Sequence, residues 1–237
     1  MSSPPPPHTA KGYDDELRQA RALVQQMGAR VERQARDAIE CLAPGSLDLI
    51  NQVLQHEAAV NALERAIDEL AGQIIARRQP AAGDLRLRLA VLKVTTDLER
   101  IGDEAKKIAL RARKLLDDDV PRLPRIRDLR RMAMIAIDML HGALAALGEL
   151  DLVGTAGVIR RDAEVNEAFR AMLRQLISFM IEDPRTISAC LDLLFAAKAL
   201  ERIGDHAKNI AEHAIYAVKG ADVRHATVAR IEQEVRG

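Results

Sequence analysis

The chain has 237 residues, which is enough for one large domain or two small ones. Its 35 Lys and Arg residues balance its 35 Asp and Glu residues, and this neutrality argues against a nucleic-acid-binding protein with a basic face. Hydrophobic residues make up 48% but aromatic residues only 2%, so a buried core is expected and an aromatic-rich β-sandwich is not. Because Ala, Leu, Arg and Glu are abundant and favour helices, the composition predicts an all-α protein.

The spacing of apolar residues predicts six long helices. Residues 1–12 are Pro-rich and predict a disordered tail, but from Tyr13 onward apolar residues recur three or four apart. Each helix is about 25 to 35 residues long, and the helices are separated or ended by breaks at residues 43–46, 79–84, 117–124, 148–151, 182–184 and near 220. At the fifth break, Asp183 is the predicted N-cap and Pro184 the first residue of the sixth helix. Residues 221–237 are expected to form a polar tail.

The two halves of the chain repeat. The six residues Leu98–Asp103 recur letter for letter as Leu200–Asp205, and residues 57–61 resemble residues 162–166. The similar offset of both matches predicts one three-helix unit that occurs twice, over residues 13–118 and 119–220. Because short connections make neighbouring helices antiparallel, we expect two tandem, pseudo-symmetric three-helix bundles.

The repeated element carries the pattern Glu-x-x-x-Asp on the third helix of each unit. Carboxylates four residues apart share one helix face, where they repel each other unless a cation lies between them. Their oxygens are ligands for Mg²⁺, Ca²⁺, Mn²⁺ or iron rather than for a thiolate-type zinc site. The candidate ligands are Glu99 and Asp103 with Glu57 and Asn61 in the first unit, and Glu201 and Asp205 with Asp162, Asn166, Asn209 and Glu212 in the second.

Alternative explanations remain open for these residues. In a helical projection the carboxylates fall opposite the apolar residues, so they could instead form a solvated face with neighbouring salt bridges. Gly102 and Gly204 lie in mid-helix, where Gly costs about 1 kcal/mol relative to Ala, and this suggests either close helix approach or room for an ion. His206 and His213 are expected to be solvated or to cap the helix. Cys41 and Cys190 are expected to be buried thiols rather than a disulfide.

The sequence from Leu200 to Glu212 resembles the second signature of the PhoU family, accessory and regulatory proteins of bacterial phosphate uptake. The stretch from Leu98 to Ala109 is similar to the first signature, although Glu104 follows Asp103 and Lys107 replaces the usual Asn. The resemblance implies two three-helix bundles with iron or zinc clusters at the Glu-x-x-x-Asp motifs. Carried over by position, the implied ligands are Glu57, Glu99 and Asp103, then Asp162, Glu201 and Asp205, with Asn209 and Glu212 as further candidates.

The resemblance also implies a regulator that acts by contact rather than by catalysis. Such a protein restrains phosphate-starvation signalling by linking the ATPase of the phosphate ABC transporter to a sensor histidine kinase. A homodimer is expected, bound to the membrane through its partners and not to nucleic acid. The alternative is an enzyme, a carboxylate-bridged di-metal bundle, which would need Glu-x-x-His on two facing helices.

The sequence predicts a cytoplasmic protein. The longest uncharged stretch after the N-terminus is Met139–Gly148, which is shorter than the roughly 20 residues that a membrane-spanning helix needs. The N-terminus also lacks the basic and then apolar pattern of a signal peptide.

Overall fold

The structure, a computed structural model, describes residues 7–43, 46–78, 82–117, 126–149, 152–224 and 226–236. These ranges contain helices and no β-strand, which confirms the predicted all-α class. The helices are α1 Pro7–Glu40, α2 Leu47–Arg78, α3 Ala82–Asp117, α4 Ile126–Glu149, α5 Thr155–Glu182, α6 Ile187–Lys219 and α7 Val228–Arg236. A short 3₁₀ turn, Pro184–Thr186, precedes α6, and the Asp183 side chain caps it by accepting a hydrogen bond from the backbone N–H of Arg185.

The described part of the chain has seven helices, so the expectation of six was wrong. The additional helix, α7, lies in the predicted polar tail and packs against α5. It forms there because Ile231 and Val235 are four residues apart and therefore share one face; Ile231 is buried and Val235 packs against the core. Residues 7–12 also differ from the expected disordered tail, because α1 begins at Pro7, a residue favoured in the first helical turn. Residues 1–6 lie outside the described part.

Each half of the chain packs its own three helices together. Helices α1, α2 and α3 contact one another, and so do α4, α5 and α6. The two groups meet along α3 and α6, with a smaller contact between α1 and α4. The core residues repeat with the motif, since the buried side chains of α3 recur 102 positions later in α6: Leu98, Ile101 and Ile108 match Leu200, Ile203 and Ile210. This repeat of buried positions is what a duplicated helical unit requires.

Helix α4 is long and apolar enough to cross a membrane by length and composition alone, over Arg127–Glu149. In the structure it packs against α1, α5 and α6. Its buried residues include Met132, Ala136, Leu140 and Ala143, which are at most 1% exposed. Its apolar character therefore has a sufficient explanation in the core contacts of the fold.

The two mid-helix glycines allow close approach between the second and third helices of each half. A Cβ atom on Gly102 would lie 3.5 Å from the Val60 side chain, and one on Gly204 would lie 3.3 Å from Val165. The two valines occupy matching positions in the two units. Both glycines therefore leave room for a valine of the neighbouring helix. Cys41 and Cys190 are both buried and free, as expected.

Candidate functional site

The first cluster consists of Glu57 and Glu64 on α2 and of Glu99 and Asp103 on α3. Glu57 is only 5% exposed, because α1 and α3 pack over this face of α2. Its Oε2 accepts a hydrogen bond of 3.0 Å from the Gln34 side-chain amide of α1, whereas its Oε1 is buried without a hydrogen-bond partner. A buried carboxylate oxygen without a partner is expensive for a folded protein.

The carboxylates of the first cluster repel one another. Burial raises the pKa of Glu57, and the charge of Asp103 raises it further, against the opposing effect of the Gln34 hydrogen bond. Burial likewise raises the pKa of Glu99, with Asp103 and Glu64 adding to the effect. Among the described residues, no Lys or Arg forms an ion pair with any of these four carboxylates. The cluster therefore has excess negative charge in a partly buried position.

A neutral amide oxygen borders the first cluster as well. The side-chain oxygen of Gln34 is buried without a hydrogen-bond partner. The position of a Cβ atom on Gly102 is 3.3 Å from Gln34 Oε1 and 3.5 Å from Glu57 Oε2, so these oxygens stand close to the glycine backbone. A larger residue at Gly102 would crowd this side of the cluster.

The second cluster consists of Asp162 on α5 and of Glu201 and Asp205 on α6, and it is organised differently. Lys208 lies 3.3 Å from Asp162 Oδ2, and Lys198 forms an ion pair with Glu201. Although Asp205 is exposed, desolvation by the surrounding atoms and the charges of Asp162 and Glu201 raise its pKa. An ammonium group thus lies beside two of the three carboxylates in this unit, although Glu201 Oε2 is buried and makes no hydrogen bond of normal geometry.

Asn166, Asn209 and Glu212 complete the candidate ligands of the second unit. Asn166 donates a hydrogen bond of 3.3 Å to Asp162 and so belongs to the second cluster. Asn209 instead donates to Asp97 of α3 at 3.2 Å. Glu212 is buried, which raises its pKa, and it lies near Asp222 and Arg224 beyond the end of α6. Asn209 is thus bonded to the first half, and Glu212 lies towards the C-terminal end of α6.

The expectation of a solvated carboxylate face is only partly met. The pairs of Lys198 with Glu201 and of Lys208 with Asp162 are the salt bridges that this alternative predicts. Asp205 is exposed, as this alternative predicts, whereas Glu212 is buried and the Glu201 side chain is only 13% exposed. A projection of one helix cannot show that a neighbouring helix covers the polar face.

The chemistry of the first cluster suits a hard metal ion. Among the residues that the structure describes, no three His, Cys, Asp or Glu side chains are already arranged to hold a metal ion. The available donors are nevertheless carboxylate and amide oxygens, the ligands that Mg²⁺, Ca²⁺ and Mn²⁺ prefer. A cation would also satisfy the free Oε1 of Glu57 and offset the repulsion with Asp103.

A polar group that the sequence did not reveal lies between the two halves. Asp97 of α3 is buried, and its Oδ1 lies 2.8 Å from His206 Nδ1, while its Oδ2 lies 3.2 Å from His213 Nε2. Burial alone would raise the pKa of Asp97, but hydrogen bonds from both histidines and from Asn209 outweigh it and lower the pKa. The two histidines are therefore contacts between bundles, and neither is the solvated or capping residue that was expected.

A second polar group lies farther along the same contact, which we call the α3–α6 seam. Buried Glu104 accepts hydrogen bonds from Lys107 at 2.9 Å and from Arg202 at 3.0 Å. Glu104 and Lys107 are the two positions at which the first signature departs from the usual pattern. These two differences between the repeats were thus the sequence signal that could have indicated the α3–α6 seam. They are expected there because two halves that are not identical contact each other through different residues.

A mostly apolar cavity lies apart from the carboxylate clusters. A cavity of about 240 Å³ lies between α1, α3 and α4, and its wall is mostly apolar, with Val24, Val91 and Leu144 among its residues. Its polar groups include Arg21 and His141. The carboxylates of both clusters lie outside this cavity, so it does not form the buried, acid-lined pocket of a di-metal enzyme.

Comparison with known proteins gives a consistent result over nearly the whole chain. The family model described as PhoU domain matches residues 24–112 and again residues 129–214. A Burkholderia protein named phosphate-specific transport system accessory protein PhoU homolog is 45% identical over 228 residues, covering 96% of this chain and 97% of its own. The Escherichia coli K12 protein named phosphate-specific transport system accessory protein PhoU is 40% identical, with 92% and 90% covered.

Solved structures agree in fold. The crystal structure of PhoU from Pseudomonas aeruginosa matches with a TM-score of 0.84 and 41% identity, covering 88% of this chain and all 100% of that chain. A phosphate transport system regulatory protein PhoU from Streptococcus pneumoniae matches with a TM-score of 0.81 at 24% identity, over 89% of this chain and 99% of that one. At that identity the second likeness supports the fold alone.

Proposed function

The chain belongs to the PhoU family, and we propose that it is an accessory protein of phosphate-specific transport that restrains phosphate-starvation signalling. The observation that carries this proposal is the 45% identity, over 96% of the chain, to a protein named phosphate-specific transport system accessory protein PhoU homolog. The doubled Glu-x-x-x-Asp motif lies on matching helices of the two halves and agrees with this family membership.

We propose further that the protein acts as an adaptor in the cytoplasm. It would link the ATPase of the phosphate ABC transporter to a sensor histidine kinase, as a homodimer that reaches the membrane through these partners. Two related bundles give each molecule two similar surfaces, which suits either two partners or a symmetric dimer. The docking surfaces of this proposal are the α2–α3 and α5–α6 faces that carry the two clusters.

Metal ions at the Glu-x-x-x-Asp motifs are part of the proposal, with iron or zinc as the ions that the family resemblance implies. Glu57, Glu99 and Asp103 would hold metal in the first unit, and Asp162, Glu201 and Asp205 in the second. A bound cation would neutralise the mutual repulsion of these carboxylates and fix the distance between the second and third helices of each unit.

Complementation tests the regulatory role directly. A bacterium that lacks its own PhoU protein should express phosphate-starvation genes even when phosphate is plentiful, and this chain should restore their repression. A quadruple variant, Glu99→Ala, Asp103→Ala, Glu201→Ala and Asp205→Ala, should fold but fail to repress. Full repression by that variant would contradict the proposed docking surfaces, and no repression by the wild-type chain would contradict the function.

The di-metal enzyme is not favoured by any observation. The sequence contains no Glu-x-x-His motif, whereas the di-iron bundles use one on each of two helices. Redox turnover by the purified, metal-loaded protein would support the enzyme and contradict a purely regulatory role.

A further inference from the structure

The apolar cavity between α1, α3 and α4 has the features of a site for a small ligand. We propose that it binds a small carboxylate with an apolar chain of about eight carbon atoms, whose head group is held by Arg21 and Gln25. The inference goes beyond the proposed regulatory function and does not rest on it, because the cavity shares no residue with either carboxylate cluster.

The cavity has the size and the lining that an alkyl chain requires. Its volume is about 240 Å³, and an engineered apolar cavity of about 150 Å³ is already large enough to bind benzene. At the roughly 30 Å³ that a water molecule occupies in the liquid, the volume corresponds to about eight atoms of that size. The apolar wall includes Val24 from α1, Leu87 and Val91 from α3, and Leu144 and Leu147 from α4. These side chains favour an apolar chain over a polar ligand.

The helices α1 and α4 are equivalent elements of the two units. Buried residues of α1 recur 105 positions later in α4, as in the pairs Val24 and Leu129, Met27 and Met132, and Val31 and Ala136. The two helices run antiparallel, since Glu32 contacts His141 while Glu40 contacts Arg130. Their contact therefore has two ends that the repeat relates to each other. The cavity lies at the end that residues 21–32 and 141–148 form.

Small residues open the cavity at this end of the contact. Ala29 and Ala145 line it from facing helices and are both exposed. The equivalent residues at the other end of the contact are Met134 and Glu40. Glu40 forms an ion pair across the contact, at 3.2 Å, which an alanine cannot do. One end is thus bridged by long side chains, whereas the other end is accessible to a ligand.

Arg21 and Gln25 supply hydrogen-bond donors for a carboxylate. Arg21 is partly buried, and within the described residues it forms neither an ion pair nor a hydrogen bond, while its Nε is shielded from solvent. Gln25 lies one helical turn further along the same face and lines the cavity as well. A guanidinium donates two parallel hydrogen bonds to a carboxylate, and the Gln25 amide can donate another. A carboxylate bound to the Nε side of Arg21 would satisfy a buried donor that is costly to leave without a partner.

The opposite end of the cavity determines the orientation of the ligand. Glu32 follows Arg21 by 11 residues along α1, which is about 16 Å at 1.5 Å per residue. Glu32 forms an ion pair with Arg36 at 2.8 Å and lies 3.3 Å from His141 Nδ1. Its negative charge would repel a second carboxylate. The head group therefore binds at the Arg21 end, and the apolar chain extends towards Glu32.

Titration with octanoate tests the proposal. Binding to the full-length protein is measured by calorimetry, and the site is identified by NMR of methyl-labelled protein. One octanoate should bind per chain and shift the methyl resonances of Val24, Val91 and Leu144. Hexanoate should bind about tenfold more weakly, because it buries two fewer methylene groups. Octanol should also bind about tenfold more weakly than octanoate, because it lacks the charge that Arg21 recognises.

Substitutions separate recognition of the head group from recognition of the chain. Arg21→Gln should weaken octanoate binding about tenfold and leave octanol binding nearly unchanged. Ala29→Met and Ala145→Leu should weaken the binding of both ligands, because each larger side chain occupies the cavity. The matched controls are Arg30→Gln on α1 and Ala66→Met on α2, at exposed positions outside the cavity. Both controls should bind octanoate like the wild type, and circular dichroism should show the same helix content in every variant.

Several results would overturn the proposal. These are no saturable binding of octanoate, equal binding of octanoate and octanol by the wild type, or octanoate binding that Ala29→Met leaves unchanged. Light scattering on the same variants tests whether a second copy of the chain covers the cavity instead. A change of oligomeric state in Ala29→Met, without octanoate binding by the wild type, would assign the cavity to a contact between chains. Repression of phosphate-starvation genes is measured separately, so failure of the ligand site would leave the regulatory role standing.

Discussion

Removing the Asp97 carboxylate should weaken the contact between the two halves. Its side chain is 10% exposed and lies 2.8 Å from His206 Nδ1 and 3.2 Å from His213 Nε2, with a third hydrogen bond of 3.2 Å from Asn209. Hydrogen bonds to a charged group contribute roughly 1.5–3 kcal/mol each, and a buried polar group that loses its partner costs about 1–3 kcal/mol. We therefore expect Asp97→Ala to lower the free energy of unfolding by about 3 kcal/mol.

Urea unfolding followed by circular dichroism measures this loss as a lower midpoint at constant slope. The matched control is Asp138→Ala, because Asp138 has a single, exposed ion pair with Arg161 at 3.2 Å. That control should lose less than about 1 kcal/mol. A double-mutant cycle of Asp97→Ala with His206→Ala should show a coupling energy above about 1 kcal/mol. Equal losses for Asp97→Ala and Asp138→Ala, or no coupling, would refute the reasoning.

Three further predictions concern packing, thiol chemistry and the C-terminal helix. Gly72→Ala should raise the free energy of unfolding by about 0.5–1 kcal/mol, since a Cβ atom at that position meets nothing within 4 Å. Gly204→Val should instead lower the free energy of unfolding by about 1–3 kcal/mol, because the larger side chain would overpack the contact with Val165. The urea midpoint of each variant measures the change. Burial raises the pKa of Cys41 to about 11, so in a Cys190→Ala variant the native thiol should react with a disulfide reagent at pH 8 only after urea is added. The Cys41 thiol loses its proton at a lower pH in the unfolded chain than in the folded protein. The free energy of unfolding should therefore fall as the pH rises from 9 towards 11. Ile231→Ser should abolish hydrogen-exchange protection in α7, which is too short to be stable alone, while protection in α6 stays unchanged.

The fold was predictable because its main signals are local in sequence. Heptad-like apolar spacing and the Pro and Gly breaks give the six long helices, and the literal repeat of Leu98–Asp103 gives their grouping into two units. Helix α7 was missed because a nine-residue segment is too short for its apolar residues, Val228, Ile231 and Val235, to make a strong periodic signal. Its stability comes from contact with α5, a tertiary effect that local spacing does not report.

The sequence predicted which site residues share a face of one helix, but not which residues of other helices contact them. The spacing of Glu99 and Asp103 places them on one helix face, and the similarity of residues 57–61 to residues 162–166 adds Glu57 from α2. The burial of Glu57 depends on α1, whose Gln34 reaches across to it. The pairing of Asp97 with His206 joins residues more than one hundred positions apart, and no local pattern specifies such a contact.

The α3–α6 seam has a consequence for the ancestry of the molecule. At one end of the seam Asp97 meets histidines of the other half, while its repeat equivalent, Ala199, lies at the opposite end beside Glu104 and Lys107. Two copies of the first half would therefore set Asp97 against Glu104 and Arg111, the equivalents of the two histidines, and two copies of the second half would leave both histidines without this acid. At this seam the duplicated halves have become complementary parts, each of which supplies side chains that the other lacks.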